Sequence, residues 1–134
     1  MLKSVNVSEY MLQHPVKVRA DDSVEEAMQV IIDNKVSGVC VVNETDHLVG
    51  ILSEMDCLRA ILSAIYNNAN RVGDVSEYMT RDNLVVAHPE EDIVDVAQAM
   101  LDQNKRRRPV VRDGMLVGQI TCRQLLTAVT KFRN

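Results

Sequence analysis

The sequence is poor in aromatic residues, with no Trp, one Phe and three Tyr among its 134 residues. Proteins that bind single-stranded nucleic acid stack bases on aromatic side chains, so this composition offers few stacking platforms. The net charge of −4 and the pI of about 5.3 agree with this, because a general nucleic-acid binder carries a basic excess. These scarcities argue against a nucleic-acid-binding protein.

Long apolar runs and paired cysteines are missing too. No apolar stretch approaches the ~20 residues needed to cross a membrane, and the first residues lack the apolar core of an export signal. The three cysteines, Cys40, Cys57 and Cys122, are odd in number and form no Cys-x-x-Cys motif. This pattern predicts reduced thiols in a cytoplasmic protein with no membrane contact.

The motifs of common enzymes are also absent. The sequence contains no Walker loop and no nucleophile elbow. Its histidines, His14, His47 and His88, lie in separate predicted loops without the spacing of metal ligands. We therefore expect no catalytic activity and no metal site.

What the chain does contain is an internal duplication. The five letters of Val7–Met11 recur 68 residues later as Val75–Met79, and the same offset separates Gly50 from Gly118. Self-similarity at a fixed period indicates repeated structural units, so we divide the chain into residues 1–70 and 71–134. A unit of this size is marginally stable alone, which predicts that the two repeats pack together.

Hydrophobic periodicity assigns the same elements to each repeat. A short extended piece at Val16–Val18 comes first, and apolar residues spaced by three and four after Ser23 predict an amphipathic helix. Two apolar runs then predict adjacent strands, joined in the second repeat by an Asp113-Gly114 hairpin turn. A last helix follows. The predicted fold is α+β, with tandem β-α-β-β-α repeats.

The turn that opens the last helix differs between the repeats. Ser53 is followed three residues later by the carboxylate of Asp56, whereas Thr121 is followed by the amide of Gln124. A hydroxyl at the N-cap with such a partner at N3 forms a capping box, which stabilises a helix by ~1 kcal/mol without any ligand. Gln is a regular N3 partner and Asp is the shorter, poorer reach, so a simple cap fits Thr121 and Gln124 better than it fits Ser53 and Asp56.

The element order, the repeat length and the Gly-h-x-Ser/Thr-x-x-Asp turn resemble the cystathionine-β-synthase (CBS) domain family. Pairs of its repeats form a pseudo-two-fold symmetric Bateman module, and the resemblance covers nearly the whole chain. Val36–Val39 and Arg107–Val111 resemble the family's second strands. Cys40 replaces the usual proline, and Arg108 replaces an aliphatic residue, which we expect to make the local surface more basic.

This resemblance implies a regulatory sensor rather than an enzyme. Family members bind adenosine compounds, including AMP, ADP and ATP, in clefts between the two repeats, and they commonly dimerise through their helices. Because the two repeats fill the sequence, we expect no effector domain beside them. We therefore expect a free-standing pair that forms a homodimer and signals to an unidentified effector protein.

The resemblance also implies the binding residues. Asp56 would accept the two ribose hydroxyls, and Arg107, then Arg106, would hold the phosphate from the sister repeat. Ser37 and Gly38 occupy the corresponding places in the first repeat without charge, so both differences favour the same cleft. The candidate ligand-binding residues are Val16, Lys17, Val36, Ser37, Gly38, Val39, Ser53, Asp56, Arg106, Arg107 and Thr121.

Other interpretations stay open. Ser53 and Asp56 can serve as a helix cap alone, in a protein-interaction module whose cleft binds nothing. Lys105–Arg108 can be a solvated loop or a nucleic-acid contact, although the acidic balance of the chain argues against the latter.

Overall fold

The structure is a computed structural model that describes residues 6–132. The expectation that no export signal is present concerns residues that lie partly outside this range. The strands are β1 (Lys17–Arg19), β2 (Gly38–Val42), β3 (Leu48–Ser53), β4 (Arg107–Arg112) and β5 (Met115–Thr121). The helices are α1 (Val24–Asn34), α2 (Glu54–Tyr66), α3 (Val75–Tyr78), α4 (Ile93–Gln103) and α5 (Cys122–Phe132), preceded by a 3-10 turn at Val7–Glu9. The predicted α+β class is confirmed. Among the described helices, none combines the length and apolarity that crossing a bilayer requires.

The described residues form two compact units. One comprises residues 16–84, and the other comprises residues 6–15 together with residues 85–132. Each unit therefore includes the first described residues of the other repeat, residues 71–84 in one unit and residues 6–15 in the other. The repeat boundary near residue 70 concerns the duplication itself and stays a prediction.

The unit of residues 16–84 contains a three-stranded sheet in the order β1-β2-β3. β1 pairs with β2 in parallel, and β2 pairs with β3 in antiparallel. From Val39 to Val42 every residue of β2 is buried, as the continuous apolar run predicted. α1 begins after Ser23, whose hydroxyl accepts from the Glu26 amide at 3.1 Å, and ends before Lys35 in the left-handed conformation.

The unit of residues 6–15 and 85–132 contains the β4-β5 hairpin. Asp113 and Gly114 both have positive φ (52° and 81°), as a two-residue hairpin turn requires, so the predicted turn is confirmed. The predicted first strand of this repeat is reduced to one residue, Ala87, which pairs in parallel with Val110.

Two prolines explain why that strand is so short. The register equates Pro109 with Cys40 and Pro89 with Ala20, and the amide of Ala20 extends the first sheet by donating to Val42 O at 3.0 Å. A proline nitrogen carries no hydrogen to donate. The parallel ladder therefore cannot extend past Ala87 in either direction.

The recurring Val-Ser-Glu-Tyr-Met segment completes the core of each unit. Val75 is fully buried with the core of residues 16–84, and beyond it the backbones of Thr80 and Ile51 exchange two hydrogen bonds of 2.9 Å. A Cβ on Gly50 would lie 2.7 Å from Met79 Sδ and 2.9 Å from Thr80 O. Gly50 therefore admits the close approach of a backbone segment.

The other unit repeats this arrangement. Val7 is fully buried, and Leu12 and Gln119 exchange backbone hydrogen bonds of 2.8 and 3.0 Å. A Cβ on Gly118 would lie 2.5 Å from Met11 Sδ and 2.9 Å from Leu12 O. In each unit, the recurring Val-Ser-Glu-Tyr-Met segment thus packs against the recurring glycine.

Candidate functional site

Many of the predicted binding residues lie at one end of the β1-β2-β3 sheet. Because β1 is parallel and β3 antiparallel to β2, the starts of β1 and β2 share an end with the close of β3. There Gly38 pairs with Ser53, and the Glu54 amide donates to Ser37 O at 2.9 Å. The predicted residues that this end contains are Val16, Val36, Ser37, Gly38, Val39, Ser53 and Asp56.

The aliphatic members of that set are core residues. Val39 is 3% exposed within the hydrophobic core, and Val16 and Val36 pack against it. Ser37 is exposed, and Gly38 is half-buried. Contact with a ligand would therefore come from backbone groups and from the exposed edges of these side chains.

Ser53 and Asp56 form a complete capping box at the start of α2. The Ser53 amide donates to Asp56 Oδ2 at 2.9 Å, and the Asp56 amide donates to Ser53 Oγ at 3.1 Å. The expectation that Asp reaches the cap poorly was wrong. Ser53 is extended (φ −102°, ψ 167°), which brings its amide within reach of the short carboxylate.

Arg59 pairs with the other carboxylate oxygen, Asp56 Oδ1. The Asp56 side chain is 5% exposed, whereas that of Arg59 is 64% exposed. Sequence reasoning missed this residue. The signal was available, because residues three apart on a helix are neighbours.

Lys17, in contrast, extends away from this turn. Its Nζ donates to Asp46 Oδ1 at 2.7 Å, in the turn between β2 and β3 at the opposite end of the sheet. A shallow pocket of about 370 Å³ lies there, lined by Lys17, Arg19 and Glu44 among others. The structure thus separates the Lys17 ammonium group from Asp56.

The matching turn at the start of α5 is also capped. The Thr121 amide donates to Gln124 Oε1 at 2.9 Å, and the Gln124 amide donates to Thr121 Oγ1 at 3.1 Å. The Thr121 hydroxyl donates to the same Gln124 oxygen at 3.2 Å. The predicted capping hydrogen bonds at Gln124 are confirmed, and the prediction that this turn serves as a cap alone stays a prediction.

The basic run lies beside this second turn. Arg107 pairs with Thr121, and the Cys122 amide donates to Arg106 O at 3.0 Å, as the Glu54 amide does to Ser37 O. The register therefore equates Arg106 with Ser37 and Arg107 with Gly38, as the sequence alignment of the repeats predicted. Arg106 is exposed and Arg107 is half-buried.

Arg108 does not contribute to the surface. It is 5% exposed and occupies the place of the core residue Val39, on the same strand face as Val110. Its guanidinium donates to Gln103 Oε1 at 2.7 Å, at the C-terminus of α4, where the helix dipole favours a cation. The expectation that Arg108 makes the surface more basic was wrong, because its aliphatic stem follows the core and its head reaches the helix end.

Cys57 follows Asp56 inside the unit and is 6% exposed. Burial raises the pKa of its thiol, and the negative charges of Asp56 and Glu54 raise that pKa further. The thiol is therefore protonated at neutral pH and a poor nucleophile.

Apolar side chains remain exposed along the last helix of each repeat, the helices for which dimer contacts were expected. They are Met55, Leu58, Leu62 and Ile65 on α2, and Leu126 and Val129 on α5. Their spacing of three and four residues places several of them on a common helix face.

Comparison with known proteins identifies both repeats. The model of the CBS domain matches residues 7–63 and 72–131. The chain is 36% identical over 115 residues to the uncharacterized protein MJ1225 of Methanocaldococcus jannaschii, a match that covers 86% of this chain and 39% of that protein.

Two solved structures are similar over nearly the whole chain. CBSX2 of Arabidopsis thaliana in complex with AMP is 26% identical, with a TM-score of 0.84 over 98% of this chain and 100% of that chain. The CBS domain pair of protein MJ0100, in complex with 5′-methylthioadenosine and S-adenosyl-L-methionine, is 26% identical, with a TM-score of 0.75 over 97% and 100% of the two chains.

Proposed function

Because this chain belongs to the CBS domain family, we propose that it is a regulatory module that binds an adenosine nucleotide of the AMP, ADP or ATP class. It acts by binding and not by catalysis. In this proposal Asp56 accepts the ribose hydroxyls, and the exposed side chain of Ser37 and the backbone of Gly38 border the base. Arg106 and Arg107, with Thr121, take the phosphate.

One observation carries the proposal: a buried carboxylate lies at the start of a helix, beside the backbone of Ser37 and Gly38. A carboxylate oxygen has two lone-pair directions, so Asp56 can keep its cap and still accept a hydroxyl. The similarity to AMP-bound CBSX2 supports an adenosine ligand. The Gln124 amide oxygen carries no charge and accepts two hydrogen bonds already, which makes it the weaker acceptor.

The regulatory part of the proposal concerns what the ligand changes. A ligand shifts a conformational equilibrium only by binding two states unequally. We propose a cytoplasmic homodimer that associates through the exposed apolar faces of α2 and α5 and passes the ligand's effect to a partner protein.

Titration calorimetry with AMP, ADP and ATP tests the ligand site. Charge-assisted hydrogen bonds contribute ~1.5–3 kcal/mol, so Asp56→Ala should weaken binding by roughly ten- to a hundredfold. Asp56→Asn retains an oxygen for the Ser53 amide and should show most of the same loss with less effect on folding. The matched control, Gln124→Ala, should bind as the wild type does.

A second function is favoured by a specific observation. Both oxygens of Asp56 already have donors, from Ser53 and Arg59, as they would in a purely structural interaction module. A thermal-shift screen decides between the two, since a ligand at a hundred times its Kd adds ~2.7 kcal/mol to stability. If no adenosine compound raises the Tm, the structural function is correct and the sensor is not.

A further inference from the structure

The Arg59–Asp56 ion pair lies at the residue on which nucleoside binding depends. Arg59 is one helical turn beyond Asp56, and its guanidinium contacts Oδ1 while Oδ2 accepts from the Ser53 amide. The exposed guanidinium contacts a nearly buried carboxylate, so it lies on the solvent side of that group. The Ser53 amide, as part of the strand backbone, approaches from the protein side.

A ribose has only the solvent side from which to approach. Its two adjacent hydroxyls would donate to the carboxylate there, in the place that Arg59 holds without ligand. A guanidinium and a hydroxyl that use the same oxygen from the same side compete, and the guanidinium carries the charge.

We propose that Arg59 competes with the ribose for Asp56 and so sets the affinity of the site, and with it the ligand concentration at which the site responds. This inference rests on the proposed function, since it assumes that Asp56 is the ribose acceptor. Ribose binding replaces the Arg59 guanidinium on the carboxylate with ribose hydroxyls. The net binding free energy is therefore the difference between these two interactions.

The second turn contains no such counter-ion. Thr127 occupies the place of Arg59, and its hydroxyl donates to Arg123 O at 2.9 Å in its own helix. The arginine therefore accompanies the carboxylate and is missing where the amide stands. The second turn has no carboxylate with which a competing cation could pair.

Calorimetric titration with adenosine tests the competition, because adenosine has the ribose but no charge that Arg59 could attract. Arg59→Met keeps a long apolar stem and removes the guanidinium. We expect it to bind adenosine about two- to fivefold more tightly than the wild type, as for an ion pair with one exposed partner. Arg59→Lys, which keeps the charge, should stay close to the wild type.

Salt provides a second readout. Raising the ionic strength screens the Arg59–Asp56 pair but not the uncharged ligand. Adenosine should therefore bind the wild type more tightly at high salt, while Arg59→Met should bind it equally at both salt concentrations.

Arg71→Met is the matched control. Arg71 pairs with Asp74 at the same spacing, at 2.6 Å, in the same unit, and its side chain is 66% exposed. This variant loses the same charge and should bind adenosine as the wild type does.

The outcomes separate the two proposals. If neither adenosine nor AMP binds the wild type or Arg59→Met, the proposed function fails, whereas AMP binding with no adenosine binding by Arg59→Met overturns only the competition. If adenosine binds the wild type and Asp56→Asn weakens it, but Arg59→Met binds equally or more weakly, only the competition fails. Tighter binding by both Arg59→Met and Arg71→Met also overturns it, because a general charge effect then accounts for the gain.

Discussion

The turns that open α2 and α5 have nearly the same backbone hydrogen bonds and different chemistry. In each, the N-cap amide donates at 2.9 Å to the side chain three residues on, and the N-cap hydroxyl accepts at 3.1 Å. Asp56 therefore caps its helix as fully as Gln124 does. The cap alone cannot show which turn binds a ligand, and the charge on the side chain is what remains to distinguish them.

That charge has consequences for its surroundings. Asp56 gains the counter-ion Arg59 and adds to the rise that burial causes in the pKa of Cys57, whereas the second turn has Thr127 and Leu125 at these places. The charge in the second repeat instead lies at the start of β4, at Arg107, and at Arg106 just before it. The repeats thus share similar backbone hydrogen bonds at these turns and differ in where they place charge, and three further comparisons between matched variants test how far this difference extends.

The largest effect is expected from moving the buried charge between the repeats. Val39→Arg places a cation in the core of residues 16–84, where the equivalent helix end offers Asn34, whose side chain is shorter than that of Gln103 and is held by donating to Val30 O at 2.8 Å. An uncompensated buried charge should lower the free energy of unfolding by more than about 3 kcal/mol. Urea unfolding monitored by circular dichroism measures it.

The reverse change, Arg108→Val, is the control. It removes the charge and leaves a small void, while Gln103 is exposed and returns to water. We expect a loss of about 1–2 kcal/mol. Equal losses for the two variants would show that the repeats tolerate a buried arginine alike, contrary to the structure.

The next effect concerns the feature that the repeats share. Gly50→Ala and Gly118→Ala each place a Cβ within 2.9 Å of a backbone oxygen, Thr80 O or Leu12 O, that is held by a hydrogen bond. Each variant should therefore lose about 1–3 kcal/mol of stability by urea unfolding. Gly50→Ala combined with Met79→Ala should recover only part, because the clash with Thr80 O remains. A loss below about 0.5 kcal/mol at either glycine would contradict the close approach.

Much of this fold could be predicted from the sequence because the chain contains it twice. The recurring pentapeptide, the recurring glycine and the Asp113-Gly114 turn each have a local physical reason that a single chain reveals. The sequence did not reveal that Val7 and Val75 each complete the core of the unit that consists mainly of the other repeat. That exchange depends on which surfaces pack together, and neither composition nor spacing records it.

The site was less accessible to prediction for a similar reason. Arg108 stands in a run of basic letters, and only its pairing with Ile120 in the sheet and its hydrogen bond to Gln103 show that it is buried. Lys17 is adjacent in sequence to Val16, which lies at the site, but its long flexible side chain pairs with Asp46 instead. Long charged side chains reach several ångströms from their Cα atoms, so position in the chain fixes them poorly.

The smallest effect is expected from exchanging the N3 residues. Gln124→Asp should keep the α5 cap, because the same backbone geometry lets Asp56 reach the Ser53 amide, and a carboxylate is favourable at a helix N-terminus. We expect stability to change by less than about 0.5 kcal/mol. The number of adenosine molecules bound per chain then tests the role of the charge. If charge alone decides binding, calorimetry should find a second weak site per chain in Gln124→Asp and none in the matched Gln124→Asn. If the stoichiometry is unchanged, a carboxylate at N3 is not sufficient, and the strand residues Ser37 and Gly38 beside Asp56 determine which turn binds.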